Sequence, residues 1–215
     1  MGWLSRTINS SIGKKTVMAV TGLALGLFVI AHLAGLSRIF QGRAAFTTYA
    51  TRLHEQDWLL RPIELLLFLV FLVHITVGLI LFLENRRAKP TRYSVRKSSG
   101  GQTWGSLTMP YTGLFLLLFL GYHLARFSLN DYTPIDVLLR ESLAQPATGA
   151  FYLIALLALG LHLSHGLWSS LQSLGLSHPK YDGFLEYGGV GISVFITTLF
   201  VMIPLLALFW PGFLR

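Results

Sequence analysis

Five apolar runs, each long enough to cross a lipid bilayer, constrain this chain more than anything else in it. They cover residues 16–40, 59–83, 107–128, 149–174 and 189–210, and a membrane-crossing helix needs about 20 mostly apolar residues. Inside hydrocarbon there is no water to satisfy a backbone N–H or C=O, so each run must pair its own polar groups as an α-helix. The fold class that follows is all-α, an integral membrane five-helix bundle forming one domain over residues 1–215. Composition agrees: 53% of residues are hydrophobic and 12% charged, where a soluble domain carries about 25% charge. A water-soluble enzyme is excluded on that ground. Pro110 is tolerable only near the start of the third run, and Pro204 predicts a kink in the fifth. The apolar run after Lys14 and Lys15 is too long for a secretory signal.

The net charge of +8 suits nucleic acid in a soluble protein, but a membrane protein has another use for basic loops. The N-terminal segment, the loop after the second span and Lys180 put ten Lys and Arg on one side, with Glu84, Asp182 and Glu186. The other side holds seven (Arg38, Arg43, Arg52, Arg61, Arg126, Arg140 and Arg215), beside five acids. The dense stretch Arg86–Lys97 decides the orientation: N-terminus cytoplasmic, C-terminus outside. That loop reads equally as an ordinary topology signal or as a docking surface for a peripheral cytoplasmic subunit. No repeat with a period of 20–50 residues stands out beyond the helical spacing, and nucleic acid is not expected as a partner.

The chain has no cysteine, which removes disulfides, thiolate metal sites, iron–sulfur ligation and covalent haem attachment together. Histidine is what remains for redox chemistry. His54 and His178 fall outside the spans, whereas His32, His74, His123, His162 and His165 fall within the first four. A single histidine at membrane depth is as readily a helix–helix hydrogen bond as a functional group. One in each of four consecutive spans is a pattern. At 1.5 Å per residue His32 and His123 lie toward the outer surface, while His74 and His162 lie about 15–18 Å from the inner end of their helices.

Two facing imidazoles at one depth are what a six-coordinate b-type haem requires. Two stacked pairs predict two haems b, His32 with His123 outside and His74 with His162 inside. His74 and His162 are each followed four residues later by glycine, Gly78 and Gly166. A glycine on the ligand's own helix face leaves room for a flat macrocycle, or simply for a neighbouring helix. His165, one turn beyond His162, is an alternative ligand that spacing leaves open.

Four histidines on the first four of five spans, with Leu161-His162-Leu163-Ser164-His165-Gly166-Leu167-Trp168 as the most specific stretch, resemble the di-haem cytochrome b subunit of succinate dehydrogenases and fumarate reductases. The similarity is to the single-chain anchor of the b558 family and runs from Lys14 to the fifth span. It favours His162 over His165 and implies the same two pairs. It also implies a flavoprotein subunit and an iron–sulfur subunit on the cytoplasmic side, quinone as substrate (menaquinone in bacteria that use this class) and a dicarboxylate active site on another chain. The setting it implies is the cytoplasmic membrane, with bilayer lipid around the spans.

Quinone chemistry needs a proton donor or acceptor at the carbonyl oxygens. Glu64, the one acid within a span, is the candidate; a plain ion pair with Arg61 explains it as well. Haem propionates need cationic partners, and Arg38, Arg43 and Arg126 are placed for the outer haem. Some family members carry a glutamate two residues before the fourth ligand, where this chain has Gly160. Tyr122 and Trp168 are candidate pocket walls. Two other readings compete: the cytochrome b subunit of a hydrogenase or formate dehydrogenase, and a non-haem transporter or assembly protein. The first uses a different histidine placement. The second lacks the broken helices of a transporter.

Overall fold

The computed structural model describes residues 2–88, 103–128, 133–210 and 212–213. Within them the chain is all-helical: α1 (Trp3–Asn9), α2 (Ser11–Leu36, extended by a 3-10 turn Ser37–Gln41), α3 (Arg43–His54), α4 (Asp57–Arg87), α5 (Trp104–Phe127), α6 (Ile135–Ala144), α7 (Pro146–Ser173) and α8 (Asp182–Phe209). Five of these, α2, α4, α5, α7 and α8, are long and apolar enough to cross a membrane. At 24 to 31 residues each is about 36–46 Å long, more than the ~30 Å of hydrocarbon. All five helices therefore begin before their apolar runs, and α4 also continues past the end of its own.

Local chemistry sets several of these ends. The Ser10 hydroxyl accepts from the Gly13 N–H at 3.0 Å and starts α2. Thr103 and Ser106 form a reciprocal capping box at the start of α5, which satisfies two orphan donors at once. Pro146 occupies the first turn of α7, where its missing N–H costs nothing. Gly175, at φ +77°, turns the chain out of α7, and Gly42, at φ +106°, separates the 3-10 turn from α3; both conformations favour glycine.

Three features of the sequence gain detail here. Pro110 lies in the second turn of α5, which begins at Trp104, and Pro204 lies in the last two turns of α8. The stretch between the first two spans is not a loop: it folds as α3, and His54 is that helix's last residue. The connection between the third and fourth spans carries α6.

The packing order places the interior. α2 packs on α4 and α7, α5 packs on α7, α4 meets α5 only lightly, and α8 lies along α7. Those contacts close α2, α4, α5 and α7 into a ring in which α2 faces α5, and α4 faces α7, across the diagonals. The helix ends beyond His32 are tied by one apolar cluster of Ile39, Phe46, Leu139, Leu143, Tyr152, Ile203 and Ala207, which joins α3 and α6 to α7 and α8. A second cluster (Leu33, Leu156, Ile196 and Phe200) lies one level further in. At the opposite end Lys14 of α2 pairs with Glu84 of α4. Among the described residues α4 has none buried, as fits a helix whose outer face meets lipid.

Candidate functional site

The site is built by the two diagonals of the helix ring. Across one, the rings of His32 (α2) and His123 (α5) lie 6.0 Å apart, centroid to centroid, at 86°. Across the other, His74 (α4) and His162 (α7) lie 6.4 Å apart at 67°. Four of the five span histidines thus meet two by two, in the grouping that depth arithmetic gives. His165 is not in either pair. It lies where α7 presses on the start of α5, so close that a Cβ on Gly105 would stand 2.8 Å from its own Cβ. Its Nδ1 is buried and has no hydrogen-bond partner among the described residues.

The spacing is informative about what the pairs can hold. Two axial imidazoles on one metal, at about 2 Å per metal–nitrogen bond plus about 1.2 Å from nitrogen to ring centre, put their centroids about 6.4 Å apart. Both pairs sit at that separation. Among the described residues no three His, Asp or Glu converge as a bare metal ion would need. Two imidazoles meeting ring to ring suit a metal whose other ligands arrive with it, as in haem.

Ring orientation is fixed by neighbours that sequence reasoning missed. His74 Nδ1 lies 3.1 Å from the Thr21 hydroxyl oxygen, and His162 Nδ1 lies 3.2 Å from that of Thr112. Each threonine donates its own proton back to its helix, Thr21 to the Val17 carbonyl at 2.7 Å and Thr112 to the Thr108 carbonyl at 3.0 Å. The oxygen is left as an acceptor, so the proton shared with histidine sits on Nδ1, and Nε2 carries the free lone pair. His123 Nδ1 meets the Tyr152 hydroxyl at 3.1 Å. The His32 ring instead stacks on Phe28 at 5.7 Å and lies 6.2 Å from Phe200.

Gly78 and Gly166 lie at helix contacts. A Cβ on Gly78 would stand 2.9 Å from Met18 Cε, and one on Gly166 would stand 3.8 Å from Met109 Cε. The glycines that border the histidine rings are on the opposite helices: Gly22 would meet His74 Cε1 at 3.2 Å, and Gly113 would meet His162 Cε1 at 3.4 Å.

Of the three arginines proposed for propionates, two are held by protein groups. Arg43 Nε donates to Asp136 Oδ2 at 2.6 Å, and Arg126 Nε donates to Ser142 Oγ at 2.9 Å with Glu141 at 3.7 Å. Arg38 reaches Gln41 Oε1 at 3.4 Å and is exposed. Glu64 pairs with Arg61 at 3.4 Å, and Arg61 with Asp57 at 3.7 Å, all three at the exposed start of α4. Of the basic stretch Arg86–Lys97, Arg86 and Arg87 end α4; its positions 89–97 lie outside the described residues.

The chain is similar to a known protein. The chain is 25% identical, over 187 residues, to the succinate dehydrogenase cytochrome b558 subunit of Bacillus subtilis (strain 168), covering 83% of this chain and 87% of that protein. No family model matches the chain, and no solved structure does.

Proposed function

We propose that this chain is the di-haem cytochrome b anchor of a succinate:quinone oxidoreductase. The observation that carries the reading is the meeting of four span histidines in two pairs, at axial-ligand separation, in a chain similar to a succinate dehydrogenase cytochrome b558 subunit. Haem b bound at each pair supplies a one-electron carrier. His32 and His123 hold the outer one, and His74 and His162 the inner one.

The chain's own residues have three tasks. The first is to present unprotonated Nε2 atoms from opposite helices, which the hydroxyls of Thr21 and Thr112 secure for His74 and His162. The second is to keep water out, done at the outer level by Phe28, Phe119 and Phe200, whose rings border His32 and His123. The third is to separate the levels. His32 follows Thr21 by eleven residues of one helix, so the two pairs stand about 16 Å apart along the axis. Haems held at those two levels would supply one-electron carriers between one membrane surface and the other.

The end of α2 that holds Lys14 faces the cytoplasm and the iron–sulfur and flavoprotein subunits, because the Lys and Arg excess lies there. Quinone, menaquinone in this reading, exchanges electrons with the chain in the bilayer, and Glu64 near the outer end of α4 is the candidate to exchange its proton. Arg38 is the propionate candidate that no acid side chain engages among the described residues.

A reduced-minus-oxidised spectrum and a pyridine haemochrome assay on the purified full chain test the reading. Two haems b per polypeptide are expected, and a chain without haem overturns it. Co-purification with a succinate-oxidising flavoprotein and an iron–sulfur protein tests the complex; isolation without either refutes the anchor role.

A further inference from the structure

The first and third spans repeat one another at a separation of 91 residues, well beyond the length of a single helical hairpin. Ten of the seventeen residues 18–34 are identical to their counterparts in 109–125. The shared pattern is Met-x-x-Thr-Gly-Leu, then Phe-x-x-x-His-Leu-Ala: Met18, Thr21, Gly22, Leu23, Phe28, His32, Leu33 and Ala34 against Met109, Thr112, Gly113, Leu114, Phe119, His123, Leu124 and Ala125. The repeat is three-dimensional as well. Met18 meets Gly78 as Met109 meets Gly166, and Gly22 borders His74 as Gly113 borders His162. Phe28 stacks on His32 at 5.7 Å as Phe119 stacks on His123 at 5.6 Å. Thr21 meets His74 at 3.1 Å as Thr112 meets His162 at 3.2 Å.

Two of the repeated residues have no packing reason to be threonine. Thr21 and Thr112 are both buried, on helices that bury few residues. A valine would fill the same volume without a hydroxyl to satisfy. The hydroxyl nevertheless does two jobs in each copy, donating to its own helix and accepting from the histidine of the next one. We infer that Thr21 and Thr112 are the positioning residues of the inner pair, a duplicated device that locks His74 and His162 in the Nδ1–H tautomer and raises the basicity of the Nε2 atoms that hold the inner haem. The inference rests on the di-haem reading above and adds to it which residues set that haem's properties.

The outer pair lacks this device. Tyr152 reaches His123 from α7. Counting by the 88-residue offset that relates His74 to His162, the matching position on α4 is Glu64, which is engaged by Arg61. The duplicated control therefore acts at one level only, and a change there separates the two haems.

The test is a potentiometric titration of the haem-loaded full chain, with each haem followed by its own spectrum. Thr112→Val removes the acceptor and keeps the shape. Outer-shell partners of metal-bound histidine are worth 10- to 100-fold. A tenfold weaker preference for ferric iron moves the inner haem's midpoint up by about 59 mV, with the outer haem unmoved. Thr21→Val acts on the same haem from the opposite ligand, by less because the Met18 backbone remains a hydrogen-bond partner of His74, and the double variant moves it further. Thr112→Ser and Thr21→Ser keep the oxygen and restore the parent value. An inner midpoint unchanged in both valine variants overturns the inference, as does an equal shift of both haems, which marks general loosening. Loss of haem in the serine variants also overturns it, because methyl packing would then be what matters. A parent chain without haem overturns the underlying reading instead.

Discussion

His123 is the residue at which one substitution is most selective. Its ring faces His32 at 6.0 Å and meets the Tyr152 hydroxyl, and it touches neither member of the other pair. His123→Ala is expected to lower haem content from two per chain to one, leaving the spectrum of the haem held by His74 and His162. In the same assay His162→Ala loses the inner haem while His165→Ala keeps both; the reverse result would move the ligand to His165. Gly160 is selective in a different way. Its carbonyl accepts from the Ser193 hydroxyl at 2.6 Å, and a Cβ there would stand 2.5 Å from Thr197 Oγ1. Threonine is β-branched and cannot swing clear cheaply. Gly160→Ala is therefore expected to cost about 1–3 kcal/mol, read as a lower melting temperature in detergent, and Thr197→Ala in the same chain should recover much of it. That this position is a glycine was legible in the sequence. That α8 fills the space was not, since nothing in the composition of residues 189–210 says which face meets α7.

Among elements, α3 and α6 are held to each other by charge as well as by apolar packing. Asp136 is buried, with an 8% exposed side chain, and its partner Arg43 is half exposed. Removing one partner of a buried pair leaves an uncompensated charge and costs about 3–5 kcal/mol, less where one partner already meets water. Arg43→Met should thus lower the melting temperature clearly, and Asp136→Asn by less, because it leaves a hydrogen-bonding group and no buried charge. Equal melting in all three chains would show the pair to be idle. These two helices also mark the limit of sequence reading. The five spans are legible because hydrocarbon demands long apolar runs, and hydropathy reports that demand directly. α3 is short, arginine-containing and interfacial, so no long run announces it; its helix is stabilised by Phe46 and Ala50 packing inward. Helix starts are hard to read for the same reason: hydropathy marks where hydrocarbon stops, and α2 and α8 begin before their apolar runs. The histidine pairs were legible through depth and count. Thr21 and Thr112 were not, because a threonine within a span ordinarily bonds its own helix, as both do, and the second bond exists only once the next helix is in place. A comparison of spans at a 91-residue offset would have found the signal.

For the molecule as a whole, five candidate spans put the start of α2 and the end of α8 on opposite sides of the membrane in the proposed reading, and the absence of cysteine makes this directly measurable. The ion pairs already sort the helix ends. Lys14–Glu84 joins the start of α2 to the end of α4 on one side, while Arg43–Asp136 and Arg126–Glu141 belong to the other. The first side, where Arg86 and Arg87 end α4, is the cytoplasmic one in the proposed orientation, by the positive-inside rule. Each single-cysteine chain then has one thiol and no background. Thr48→Cys, on the exposed part of α3, is expected to react with a membrane-impermeant maleimide in intact cells. Ser10→Cys and Arg87→Cys, exposed at the opposite helix ends, are expected to react only after permeabilisation. Haem content unchanged from the parent certifies each chain as folded. The opposite labelling pattern would invert the orientation, putting His74 and His162 at the outer level and the basic stretch out of reach of a cytoplasmic iron–sulfur subunit, so the anchor reading would fall with it.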